Sequence, residues 1–181
     1  MIYQWGLLST PFHRVYFEDR EEADLERLPA RRFRIPIFGR LNYYATDYLV
    51  LRTFYRFYFD NFGIQSHTIN VETPFKFTNF ISLYPYYRFH QQQASKYFAP
   101  YKAHIQTKDY YTSDNDLSSF SAHMIGGGFK ISPPLGIKPA GNRFSTHRPL
   151  IFRELEVRYG RYWRSNGLRA SIISFNVGFL Y

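Results

Sequence analysis

An all-β fold, an antiparallel up-and-down transmembrane β-barrel of about eight strands, follows from three features of this 181-residue sequence. Apolar and polar residues alternate with a period of two through most of the chain, as strands do when their two faces meet different media. Several alternating stretches reach or pass the roughly 9–11 residues a tilted strand needs to cross a bilayer, where soluble strands average roughly 5–6. The chain is rich in rings (17 Tyr, 19 Phe and 2 Trp), and they gather near the ends of those stretches. Amphipathic rings accumulate at the two membrane–water boundaries.

Taken in order, strands are expected at about 2–8, 31–44, 47–60, 62–73, 77–91, 119–131, 152–164 and 168–181. In the second, Phe33, Ile35, Ile37, Gly39, Leu41 and Tyr43 share one face, while Arg32, Arg34, Arg40 and Asn42 lie opposite. In the third, Leu49, Leu51, Thr53, Tyr55, Phe57 and Phe59 face away from Arg52 and Arg56. Near the end, Leu155, Val157, Tyr159 and Trp163 oppose Glu154, Glu156 and Arg158. The last strand sets Ile173, Phe175, Val177, Phe179 and Tyr181 against Ser174, Asn176 and Gly178. Turns fall at Ala45-Thr46, at Asp60-Asn61-Phe62-Gly63 and at Ser165-Asn166-Gly167, the last an Asn-Gly hairpin signal. Long polar connections occupy 9–30 and 92–118, and a Pro/Gly-rich one 132–149. Within the first, Glu18 to Arg27 has the composition for a short charged helical turn but is expected as loop. The whole chain, 1–181, reads as a single domain.

Composition excludes several classes. With no cysteine there is no disulfide framework and no thiolate metal site. No apolar run approaches the roughly 18 residues of a membrane-spanning helix. The net charge of +9 comes from 17 Arg and 6 Lys scattered among aromatics, and Arg31-Arg32 is the longest basic run. A nucleic-acid partner is therefore not expected, since such binders gather charge into a stripe. Met1 to Trp5 lacks the basic start of a secretory signal. A soluble barrel or sandwich would bury its apolar face and wet the other; strand length and ring placement favour the membrane inversion.

The polar face then lines a lumen. Arg34, Arg40, Arg52, Arg56 and Arg158 are expected to pair there with Glu72, Glu154 and Glu156, because unpaired interior charge is costly. An eight-stranded barrel is filled by its side chains, so a filled interior is expected and an arginine-lined pore for small polar or anionic solutes is the alternative.

No metal or cofactor site is expected. His13, His67, His90, His104, His123 and His147 show no ligand spacing and read as loop or lumen-mouth residues. Gly126-Gly127-Gly128 sits within a strand and marks a bend rather than a phosphate cradle. Ser113, Asp114, Asp116, Ser118 and His123 supply the residue types of a rim hydrolase without a fixed geometry. Gln91-Gln92-Gln93 and the stretch from Lys96 to Lys108 read as exposed loop, where Lys96, Lys102 and Lys108 could meet lipopolysaccharide or a partner protein.

The alternation Ile173, Phe175, Val177, Phe179, Tyr181 resembles the terminal signature that the barrel-assembly machinery of Gram-negative bacteria recognises, by strand addition to an exposed edge. Further segments look familiar together: Gly6 to Phe17, Arg34-Ile35-Pro36-Ile37, Leu51 to Tyr58, Tyr86 to Phe89, Tyr97 to Tyr101 and Tyr111 to Ser118. With them the chain resembles the C-terminal part of an uncharacterised Gram-negative outer-membrane β-barrel family, a domain of unknown function. The resemblance implies an outer-membrane location, contact with outer-membrane lipid, further strands before Ile2, and no transferable catalytic residue. The expected role is structural or interactive within a surface complex, non-enzymatic, with 9–30 and 92–118 facing outward and 132–149 facing the periplasm.

Overall fold

A computed structural model describes residues 1–19, 21–105, 108–137 and 151–180. Tyr181, His147 and most of the 132–149 connection lie outside them. The strands are β1 (Ile2–Trp5), β2 (Arg14–Val15), β3 (Asp24–Leu25), β4 (Arg31–Tyr44), β5 (Val50–Asp60), β6 (Gln65–Glu72), β7 (Phe75–Lys76), β8 (Ile81–Gln92), β9 (Phe120–Ile131), β10 (Ile151–Arg164) and β11 (Arg169–Leu180). All eight expected strands form, with ends shifted by a few residues where turns trim them. The third starts at Val50 because Ala45 and Thr46 donate N–H groups to the Leu49 carbonyl and close the connection there.

One antiparallel sheet runs β1-β4-β5-β6-β8-β9-β10-β11, with β7 pairing β8; β2 and β3 form a separate hairpin. This corrects the expected barrel: the sheet does not close. Its outer strands are β1 and β11, and β1 covers only Arg31 to Arg34 of β4. From Ile35 to Tyr44 the far side of β4 has no strand beside it among the described residues. Pro36, which cannot donate to a ladder, sits on that open edge, where proline is tolerated.

The register carries the alternation across strands, so the two faces are continuous. Ile37 pairs with Phe57 and Phe57 with His67; Tyr55 pairs with Ile69 and Ile69 with Phe89. Farther along, Leu83, Phe129, Val157 and Phe175 lie side by side. This apolar face is solvent-exposed, with Leu41 at 65% and Phe175 at 71%. Most of its polar members, among them Gln65, His67, Gln91, Ser121, Arg161 and Arg169, sit at one end of the strands, together with Trp5 and Trp163.

That end is capped. The connections at 9–30 and 92–118, expected as loops, fold against each other through short pairings, Phe17 with His104 and Arg27 with Tyr111, and the second folds on itself through Phe98 and Thr112. Val15, Phe17, Leu28, Phe62 and Ile64 are buried in this cap, and Glu26, Ser95, His104 and Thr112 are buried with them. Glu18 to Arg27 contains β3 rather than a helix.

Candidate functional site: an arginine-lined pocket beneath the cap

The polar face divides into two zones of different charge balance. Toward the end away from the cap, Glu72 on β6 accepts from Arg52 on β5 (3.1 Å) and from Arg158 on β10 (3.3 Å). Arg158 also donates to Glu156, and Lys130 pairs with Glu154 at 2.6 Å. Two glycines make room for this layer. The Tyr86 ring lies over Gly126 and Gly160, where an added Cβ would come within 2.6 and 2.4 Å of its hydroxyl. Gly126 thus marks a close approach, the second reason a strand carries glycine, whereas Gly127 has ordinary space around it.

Near the cap the carboxylates run out. Asp60 ends β5 and is committed to four residues: Oδ1 accepts the N–H groups of Phe62 and Ile64, and Oδ2 accepts from Arg32 (2.5 Å) and from the Tyr58 hydroxyl (2.7 Å). It leaves nothing for Arg34, its register partner. Asp116, from the short 3₁₀ turn Asn115–Leu117, accepts from Arg164 at 2.7 Å. Arg164 also lies over the Phe120 ring, 4.2 Å from its centroid. Between these two satisfied arginines stand Arg34, Arg56 and Arg88, none with an ion pair among the described residues. The Nε atoms of Arg34 and Arg56 are buried without a hydrogen-bond partner.

These five arginines surround a pocket of about 690 Å³ whose roof includes Ile64, Asp116 and Leu117. Small buried residues on the polar face, Ser66 and Ala122, provide the space. His90 lines it too, its Nδ1 2.9 Å from the Thr68 hydroxyl.

All eight residues of the expected charge network lie on the polar face, but the structure does not join them as expected. Arg52, Glu72, Glu156 and Arg158 connect; Glu154 takes Lys130 instead; Arg34, Arg40 and Arg56 find no carboxylate among the described residues. Sequence reasoning placed Arg32 on the polar face without a partner and missed Asp60, Arg88, Lys130 and Arg164. Parity alone puts Arg88, Lys130 and Arg164 on the polar face of their strands, and it could have flagged them.

Of the histidines, His67, His90 and His123 are in the strands β6, β8 and β9, in their cap-side halves. His67 and His123 lie on the apolar face, each ring Nδ1 2.8 Å from a tyrosine hydroxyl, of Tyr55 and Tyr87 respectively, and His123 stacks on Trp163. No hydrogen bond joins His123 to Ser113, Ser118, Asp114 or Asp116 among the described residues. His104 is buried in the cap, donating from Nε2 to the Thr112 carbonyl at 2.9 Å. Burial holds its imidazole below the usual pKa; that hydrogen bond opposes the shift and Lys108 adds to it. In the same cap, ligand-type atoms of His13, Glu26 and Asp114 lie within 4.8 Å of one another, a proximity that spacing along the chain conceals. Glu26 is already used by the Thr10 N–H and the Thr112 hydroxyl. In β11, Ile173, Phe175, Val177 and Phe179 share the exposed apolar face; Tyr181 is outside the described residues.

A family model described as a protein of unknown function, DUF3570, matches residues 3–146. The chain belongs to the DUF3570 family. That match begins within β1 and includes β2 through β9 and the whole cap, so the pocket's arginines other than Arg164 fall within the family's span. No curated protein and no solved structure matches the chain significantly.

Proposed function

We propose that the chain is a section of the wall of a Gram-negative outer-membrane β-barrel, with a structural or interaction role and no catalytic one. The exposed apolar face supports this reading above all else. A water-soluble protein rarely leaves so large a contiguous apolar surface uncovered, and here it extends from Ile37 on β4 to Phe175 on β11. Hydrocarbon is the medium that suits it, and the ring of Trp, His and Arg at the capped end suits the interface. In lipid, free sheet edges are untenable because unpaired backbone groups there cost several kcal/mol each, on the order of the transfer penalty for an amide. The open edges of β4 and β11 are then met by further strands. The cap lies on the outward side, presenting exposed Lys96, Lys102 and Lys108 to lipopolysaccharide or a partner protein.

A pore for small polar or anionic solutes is the second reading, favoured by one observation. Eight strands closed on themselves would be filled, but this eight-strand path stays open, so closure with more strands leaves an interior faced by Arg34, Arg56 and Arg88. Single-channel conductance separates a pore from a scaffold.

The membrane reading is tested with the Trp5→Phe variant, which leaves Trp163 as the sole tryptophan. In vesicles carrying bromine on their acyl chains, Trp163 fluorescence should be quenched relative to unbrominated vesicles. A folded protein that is monodisperse in plain buffer, with unquenched Trp163, would overturn it.

A further inference from the structure

We infer that the pocket beneath the cap is a binding site for a phosphate group carried by a small molecule. The inference stands on the cavity alone and holds whether or not the apolar face meets lipid.

Charge comes first. Of the five arginines around the cavity, Arg32 and Arg164 are neutralised by Asp60 and Asp116. Arg34, Arg56 and Arg88 are not, so three positive charges converge on one space with no anion to offset them. Like charges held together in a partly buried site repel, and such an arrangement persists when a multiply charged anion is its natural occupant. Hydrogen bonding points the same way. Buried donors are nearly always satisfied, yet the Nε atoms of Arg34 and Arg56 are not, and each belongs to a planar fork that matches phosphate oxygens.

The neighbours fix the geometry of these cations. Arg56 reaches the Thr68 hydroxyl at 3.5 Å, and Thr68 in turn holds His90. Arg34 cannot fold back onto Asp60, which Arg32, Tyr58 and the turn amides occupy. Size and lining then narrow the ligand. A space of about 690 Å³ exceeds what a bare phosphate fills and lies within the range of roughly 300–1,000 Å³ typical of small-molecule sites. Phe120, Met124 and Tyr162 line it beside the arginines, so an organic portion would rest against rings while its phosphate meets the guanidiniums.

Titration calorimetry of the folded chain, in detergent or reconstituted in lipid, distinguishes free phosphate from a phosphate ester. The probes are inorganic phosphate, glucose 6-phosphate and glucose. Binding of glucose 6-phosphate or of inorganic phosphate that weakens with added salt is expected, and glucose should give no heat. A tighter fit for glucose 6-phosphate than for inorganic phosphate supports the ester as the occupant; a tighter fit for inorganic phosphate would overturn it. Losing a charge-assisted hydrogen bond corresponds to about tenfold or more in affinity, so Arg56→Gln and Arg88→Gln should each weaken binding about that much. Arg56→Lys, which keeps charge and loses the fork, should fall between. Arg153→Gln removes the same charge from an exposed site outside the pocket and should leave affinity unchanged. Circular dichroism confirms that each variant retains its strands. No binding of either phosphate, equal binding of glucose, or equal weakening by Arg153→Gln would overturn the assignment.

Discussion

Ile125 and Met124 are neighbours on β9 with opposite surroundings. Ile125 points to the exposed apolar face at mid-strand, whereas Met124 lines the pocket. Arginine on the lipid face of a barrel costs about 2–4 kcal/mol near the midplane and little near the interface. Ile125→Arg should therefore destabilise the protein by about that amount in lipid, as read by urea unfolding, and Met124→Arg by less. Leu51 shares the apolar face but sits next to the 45–49 turn, so Leu51→Arg should cost less than Ile125→Arg. Arg52→Leu removes one of two arginines from Glu72, and Arg158 remains to hold that carboxylate. In the cap, His104 is neutral in the folded state because burial lowers its pKa. The unfolded chain binds the proton more readily, so cap stability is full above the ordinary histidine pKa of about 6.5 and declines as pH falls below it. The protection of cap amides, that is, exchange corrected for its intrinsic pH dependence, should fall between pH 7.5 and 5.5, and His104→Gln should remove that fall; loss of protection persisting in the variant would mean another group titrates.

Strands and cap differ in how far the sequence discloses them. The period of two is a local property, so Phe33 to Tyr43 or Ile173 to Phe179 could be assigned to a face from their own spacing. Height along the strand is not local. Parity put Arg34, Arg56, Glu154 and Glu156 on one face, but only the register shows that the glutamates lie far from those two arginines. The cap was invisible for a related reason. Its pairings, such as Phe17 with His104, join distant segments through isolated bridges outside the strands, too short to show a period. In β9, the glycine run reads as a bend from sequence, whereas the structure gives two of its members different duties. Gly126→Ala would drive a Cβ to 2.3 Å from the Tyr159 carbonyl oxygen, while at Gly127 the nearest atom is 3.8 Å away. Overpacking of that kind costs about 1–3 kcal/mol, so thermal unfolding should show Gly126→Ala well below Gly127→Ala. In β11, replacing Phe179 and Tyr181 with Ser should reduce accumulation in the outer membranes of cells more than it reduces stability in detergent. Proportional losses in the two assays would mean that the terminal strand is merely structural.

For the molecule as a whole, the two faces of the sheet define its relation to its surroundings. One carries Ile37, Ile69, Ile125 and Phe175 into the open; the other gathers arginine beneath a folded cap. The all-β antiparallel architecture was legible in the sequence, but closure was not, because it depends on which strands meet at the edges of β4 and β11. A lipid environment for the apolar face is the central claim, and the absence of native cysteine allows a direct test. Single cysteines placed one at a time from Ile172 to Val177 on β11, spin-labelled and reconstituted in vesicles, report collisions with oxygen dissolved in lipid and with a water-soluble nickel chelate. Oxygen accessibility should peak at 173, 175 and 177, with the chelate peaking at 172, 174 and 176. Chelate accessibility that is high at all six positions, or that shows no period of two, would contradict it.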